Sequence, residues 1–328
     1  MSSLVVFLVG VLTLAGIYAA LAMVLNLVAG WAGMWDLGVA GLVGVASYTY
    51  ILLTQTRTTT GLLISPGLPI PVGVVAAMVV TALVALLIAV PSIRLRGEFF
   101  LITTLAFAEV IHQIAVSETA LTRGTTGFSS IDRPFSDLVP PGSYRWVLLA
   151  MTAVVVLVVF LLMNRLAKTP YVRLLRAARD NEPVARSLGK RVVYYRIITY
   201  VFAGALIGLI APLYLWHVRS VVPSLFVSEM TFVVWTALVI GGIGSRSGPV
   251  LGASLLIVST ELLTFLQGSA EYAQMLAATR PIILGLLLIL VLRFRPSGLV
   301  SERSSFQLSA KDLGQGRLLR RRGEAVSR

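Results

Sequence analysis

PYVRLLRAARDNEPVARSLGKRVVYYR, Pro170 to Arg196, is the one long polar segment inside an otherwise apolar chain. Val172, Leu175 and Ala178 recur every third residue beside Leu174, and Arg173, Arg176 and Arg179 run parallel to them. That is the pattern of a short amphipathic helix with a basic stripe. Pro183 interrupts the pattern and Gly189 supplies a stop. Such a segment is a solvated loop, a helix on a lipid surface, or a helix in the groove of a partner protein. Long apolar runs flank it on both sides, so it joins membrane spans, and the fold class is an all-α, polytopic helical bundle.

Composition agrees. The chain has 328 residues, 57% hydrophobic and 12% charged, against about a quarter charged in soluble domains. A net charge of +13 raises nucleic acid as a partner, but 21 of the 27 Lys and Arg fall in alternate loops and the C-terminal tail. That distribution marks cytoplasmic faces and argues against nucleic acid. There is no Cys, and the two His are His112 and His217, so neither a disulfide framework nor a metal centre is expected.

A hydrocarbon core of about 30 Å takes about 20 helical residues. On that measure nine spans are expected, at 4–29, 31–54, 71–92, 98–117, 146–163, 197–217, 229–243, 249–267 and 279–293, within a range of eight to ten. No basic region precedes the first run, which reads as a retained span and not a signal peptide. Gly30-Trp31-Ala32-Gly33 is hardly a loop, so 20–45 reads alternatively as a broken or re-entrant helix. Residues 1–300 form the transmembrane domain, with 164–196 as its cytoplasmic segment, and 301–328 form a basic, disordered tail drawn to anionic lipid. The odd count puts the N-terminus outside and the C-terminus inside.

Small residues locate helix contacts in lipid. Gly204 and Gly208 form a G-x-x-x-G, Gly38, Gly41 and Gly44 a similar stripe, and Gly244, Gly248 and Gly252 surround a tight turn. Ionisable groups at membrane depth carry more weight, because a carboxylate there costs about 2.5–3.5 kcal/mol on insertion scales. Glu109 falls near the middle of its span, and His112 and Gln113 share its helix face. With Thr103 on the same helix, and Asn26 and Asp36 beside the suspected break, these are the candidate residues of a solute path, or else braces between helices. Glu229, Glu261 and His217 lie near span ends and read as interfacial. No G-x-x-x-x-G-K-[ST], G-x-S-x-G or H-E-x-x-H occurs, so the chain is not an enzyme by those devices and nucleotide-driven work must come from another subunit.

The stretches NLVAGWAGMWDLGVAGLVGVASY, RLRGEFFLITTLAFAEV, LTRGTTGF, Tyr171 to Gly189, GGIGSRSGPVLGA and RPIILGLLLILVLRFRPSGLV, in this order and spacing, resemble the permease subunits of branched-chain amino-acid ABC importers, specifically the second, M-type subunit. The resemblance covers about Leu21 to Val300. It implies a permease of the prokaryotic inner membrane paired with a second, related permease, two cytoplasmic ATPases that bind ATP and Mg²⁺, and an extracytoplasmic solute-binding protein. It implies no cofactor in this chain. It also implies that Val172, Arg173, Leu175, Arg176, Ala178, Arg179, Asp180 and Glu182 belong to the coupling helix that docks on an ATPase. Asp36 replaces the family's usual Ser, Val39 its His or Gln, and Arg123-Gly124 with Thr126-Gly127 its outer Gly-Gly and Asn-Gly. Those departures leave urea, amides or aromatic acids open beside a branched-chain amino acid. The rival readings are an ion-coupled transporter with Glu109 and His112 as a proton relay, and a membrane protein without transport.

Overall fold

A computed structural model describes residues 3–55, 66–92, 98–129, 131–136, 139–140, 143–266, 282, 285–286, 289–291, 293–295 and 297–302. Its helices are α1 (Ser3–Leu25), α2 (Val39–Thr54), α3 (Ile70–Ser92), α4 (Glu98–Ser117), the single turn α5 (Thr119–Thr122), α6 (Tyr144–Leu166), α7 (Pro170–Asp180), α8 (Glu182–Ser187), α9 (Val192–Val218), α10 (Ser228–Gly241) and α11 (Gly248–Leu266). Six are long and apolar enough to cross a membrane, and Val39–Thr54 and Gly248–Leu262 are shorter apolar helices. They match eight of the nine expected spans. The ninth, 279–293, falls largely outside the described residues, as does the tail from 303 onward.

The all-α expectation needs one small amendment. Strands β1 (Phe128–Ser129) and β2 (Ser220–Val221) pair antiparallel, each two residues long. They tie the 118–136 connection to the far end of α9. On the same side, Arg145 at the start of α6 donates to the carbonyl of Val6 in α1 at 3.3 Å. At the other side, α7 and α8, the turn after α10 and the segment 297–302 come together. The backbone of that segment adds to the end of α10, with Leu299 N–H on the Ile240 carbonyl at 2.9 Å and Val300 N–H on that of Gly241 at 3.0 Å. The bundle therefore has an α7 face and an opposite face.

α1 is apolar all round, which suits a helix enclosed by others. From Ile17 to Leu25 every side chain is buried, and α6, α9, α10 and α11 pack around it. In lipid, helices gain little from the hydrophobic effect against each other and rely on close approach. The α9–α3 crossing shows it. A Cβ on Gly204 would lie 2.6 Å from Cβ of Ala85, and one on Gly208 2.5 Å from Cα of Met78. Gly248 and Gly252 serve the α11–α10 crossing in the same way, against Gly241 and Ala237.

The largest departure from the expected spans lies between α1 and α2. α1 widens into a π-helical turn over Asn26–Trp31, residues 32–38 are not helical, and α2 starts only at Val39, where a helix from residue 31 was expected. α2 alone, at 1.5 Å per residue, is about 24 Å long, short of the hydrocarbon core. Free backbone groups at such a break must be paired inside protein, and here distant side chains pair them. Leu37 N–H donates to Thr104 Oγ1 at 3.0 Å, and Ala40 N–H to Thr231 Oγ1 at 2.9 Å.

Candidate coupling and translocation site

Thr169 caps α7, Pro170 opens it, and Asn181 caps the next helix by accepting from Val184 N–H at 3.2 Å. Gly189, at φ +76°, closes α8 in the left-handed conformation that glycine reaches without a Cβ clash. The amphipathic reading of α7 holds, with a consequence for its apolar stripe. Val172, Leu175 and Ala178 are buried against the chain's own bundle, Leu175 to 1% exposure. That stripe is thus covered by the chain itself, and a partner that meets α7 meets its other side. The surface left outward is formed by Arg173, Ala177, Asp180 and Pro183, extended by Val184 and Leu188, which are 52% and 71% exposed. Val184 and Leu188 escaped the sequence reading because nothing in their spacing says which side of α8 is covered.

The basic stripe is equally committed to the chain itself. Nε of Arg176 lies 3.2 Å from Glu302, an ion pair by distance without hydrogen-bond alignment, and Arg179 pairs with the other oxygen of the same carboxylate at 3.0 Å. Arg179 also reaches Asp180 at 3.0 Å and donates to the carbonyl of Gly30 in the π-helical turn. Burial lowers the affinity of Arg179 for its proton, but Glu302 and Asp180 outweigh it and hold the guanidinium above its ordinary range. For Arg176 burial wins, with Arg179 and Arg246 adding repulsion against the attraction of Glu302, and its value falls. The Arg176 guanidinium also sits 5.4 Å from the centre of the Trp31 ring. Glu182 binds Arg186 and, at 2.8 Å, Arg196, which fastens α8 to the start of α9. α9 begins at Val192, so the last five residues of the polar segment belong to it, and Ser301–Glu302, expected in a disordered tail, are part of this cluster.

Gly33 lets α7 approach the break. Its φ is +69°, and a Cβ there would meet Cγ of Arg179 at 2.7 Å. Asn26 braces the same region, its amide donating to the Ser245 carbonyl at 2.7 Å and accepting from Gly244 N–H at 2.7 Å. Trp31 Nε1 adds a bond to the Gly244 carbonyl at 2.9 Å. Asp36 is 2% exposed. Its Oδ1 accepts from Gly38 N–H at 2.8 Å and from the Tyr200 hydroxyl at 3.2 Å, while its carbonyl accepts from Trp235 Nε1 at 2.7 Å. Asn26 and Asp36 are thus both buried and hydrogen-bonded within the chain at the break.

The other four candidates lie apart from them. Thr103 bonds to its own helix, at the Phe99 carbonyl, and its neighbour Thr104 is the one that meets the break. Glu109 is 63% exposed on the outer surface of α4, with His112 Nδ1 3.6 Å away and half-buried. Gln113 is exposed and reaches Ser117 Oγ at 3.4 Å. The shared face expected for these residues exists for Glu109 and Gln113, and it points away from the bundle. Among the described residues no three His, Asp or Glu side chains gather closely enough to hold a metal ion.

Residues 7–292 match the family described as "Branched-chain amino acid transport system / permease component". The chain is 30% identical over 314 residues to the high-affinity branched-chain amino acid transport system permease protein LivM of Escherichia coli, covering 89% of this chain and 69% of that one. It is 27% identical to the probable permease LivM of Methanocaldococcus jannaschii, over 70% of this chain and 68% of that one. It is 28% identical to the probable permease LivH of the same organism, over 63% and 66%. No solved structure gives a significant match. With several apolar helices of spanning length, this is a multi-pass membrane protein, and the chain belongs to the family of permease components of branched-chain amino acid transport systems.

Proposed function

We propose that the chain is one of two permease subunits of an ATP-driven importer in a prokaryotic cytoplasmic membrane, with α7 on the cytoplasmic side as the element pushed by an ATPase. The observation that carries this is the cluster built on Arg179. One side chain holds the Gly30 carbonyl, packs on Gly33 and pairs with Glu302, so α7 cannot shift without moving the turn that leads to Asp36 and α2. The outward surface of Arg173, Ala177, Asp180, Val184 and Leu188 is what an ATPase would grip. ATP and Mg²⁺ belong to that partner, since this chain has no phosphate-binding loop. An extracytoplasmic binding protein delivers the solute to the opposite face.

The second permease covers α4. An exposed carboxylate at membrane depth does not face lipid, and Glu109 with Gln113 supplies a polar strip that a paired subunit, or water between the two, satisfies. The names of the relatives support a branched-chain or other hydrophobic amino acid as solute. The test is reconstitution with a second permease, two ATPases and a binding protein in proteoliposomes. ATP-dependent uptake of labelled leucine is expected. Uptake of urea instead corrects the solute, and uptake that survives without ATP but collapses with the proton gradient overturns the mechanism.

A further inference from the structure

The face opposite α7 carries a cavity of about 660 Å³, bounded by the start of α1, the start of α6 and the end of α9. Arg133, Arg145 and Arg219 line it beside Tyr144. Among the described residues none of these three guanidiniums has a carboxylate partner. Arg133 lies over the Tyr144 ring at 4.1 Å, Arg145 donates to the Val6 carbonyl at 3.3 Å, and the exposed Arg219 ends α9 in the left-handed conformation. Burial, with the repulsion of Arg219 behind it, holds the Arg133 guanidinium below its ordinary range, as befits a cation short of negative charge. The one carboxylate among the described lining residues, Glu261, already has a partner within the chain.

The depth of these cations can be read from their neighbours. Trp146 follows Arg145 directly and is exposed, and an exposed indole at the end of a span belongs at the level of the lipid headgroups. The apolar lining lies further in. Leu148 is one helical turn beyond Tyr144, about 6 Å, and Gly10 and Val11 are a turn beyond the Val6 carbonyl that Arg145 holds. A Cβ on Gly10 would meet nothing within 4 Å, so a groove stays open along α1. Beside that groove Leu4, Leu8 and Leu12, four residues apart on α1, present exposed apolar surface. Cations at headgroup level above an open apolar groove suit an anionic headgroup carried on an acyl chain. A soluble anion uses the cations alone, and an acidic loop of a docked protein leaves the groove empty. We propose that this cavity is a site for one anionic phospholipid, its phosphate on Arg133, Arg145 and Arg219 and the upper part of an acyl chain against Gly10, Val11 and Leu148. The site depends on the membrane-spanning bundle and not on the solute carried.

The test uses the full chain in detergent without ATPases, titrated with phosphatidylglycerol or phosphatidylcholine, with lipid-bound chains counted by native mass spectrometry. Phosphatidylglycerol is expected to be retained about tenfold more tightly than phosphatidylcholine. Arg219 is exposed and bonds to no other described residue, so Arg219→Gln should fold normally and weaken phosphatidylglycerol about fivefold, with Arg219→Lys restoring most of the loss. An Arg133→Gln/Arg219→Gln double variant should lose the preference, and Lys190→Gln, exposed on the α7 side, should keep it. Equal retention of the two lipids overturns the proposal. So does a preference that survives in the double variant, which would place the anionic lipid elsewhere, such as on the basic tail. Displacement of phosphatidylglycerol by an equal concentration of glycerol phosphate overturns it as well, because the cations would then hold a soluble anion and the groove would contribute nothing. Because no ATPase is present, failure here is distinct from loss of ATP-dependent uptake, which would count against the transport reading alone.

Discussion

Replacing Glu302 with Ala removes the carboxylate that both Arg176 and Arg179 share. The three side chains are 23%, 14% and 25% exposed respectively, so the cluster is neither a surface pair nor a fully buried one. Exposed pairs contribute about 0–1 kcal/mol, and breaking a buried pair costs about 3–5 kcal/mol; a loss of about 2 kcal/mol lies between. At 1.4 kcal/mol per decade, that is about a thirtyfold shift toward states in which the segment 297–302 leaves α7. The amides of Leu299 and Val300 report this directly, because they are bonded to the end of α10 only while the segment is seated. Hydrogen exchange at those two amides should accelerate by about thirtyfold in Glu302→Ala, provided local opening dominates. Arg179→Ala should accelerate it as well, and the double variant should fall short of the summed effects, since the two partners share one interaction. Exchange unchanged within twofold in both single variants would show that the cluster holds nothing, and the lever drawn from Arg179 to the break would go with it.

Leu175→Asp buries an unpaired carboxylate against the chain's own bundle and should cost more than about 3 kcal/mol, seen as loss of folded protein in detergent, whereas Arg173→Glu on the outward surface should fold normally and lose co-purifying ATPase. Asp36→Ala leaves the Gly38 N–H and the Tyr200 hydroxyl without an acceptor, at about 1–3 kcal/mol each, while Asp36→Asn keeps an oxygen there and should retain most of the thermal stability. Gly208→Leu forces a side chain into the α3 backbone and should lower the unfolding temperature, with overpacking of this kind costing about 1–3 kcal/mol; Gly10→Leu, at a position with open space around it, should not. Cysteines at Glu109 and Gln113 should cross-link to the second permease and not to lipid-facing probes.

Hydropathy made eight of the nine expected spans and their order legible, and where polar residues bracket a run it gave the ends as well: the span expected at 98–117 is the helix Glu98–Ser117. It failed at α9, whose first turn carries Tyr194, Tyr195 and Arg196, residues that keep a polar tip in water while their stems stay in the helix. The break at 32–38 was suspected from its glycines, but its form depends on Thr104, Tyr200, Thr231 and Trp235, which no local pattern connects to it. Periodicity showed that α7 has an apolar side and could not show what covers it. The depth of Glu109 followed from counting residues, yet the direction it faces depends on how α4 packs on α2 and α3. Glu302 carried no signal in a segment that reads as an unstructured basic tail.

The chain has no cysteine, so a single thiol introduced at Ala177 on the outward surface of α7 is an unambiguous probe. A membrane-impermeant maleimide should label Ala177→Cys in inside-out vesicles and not in right-side-out ones, and adding the partner ATPases should protect it. Labelling from the outside, or labelling that ATPases leave untouched, would contradict the claim that α7 is where a nucleotide-driven partner pushes.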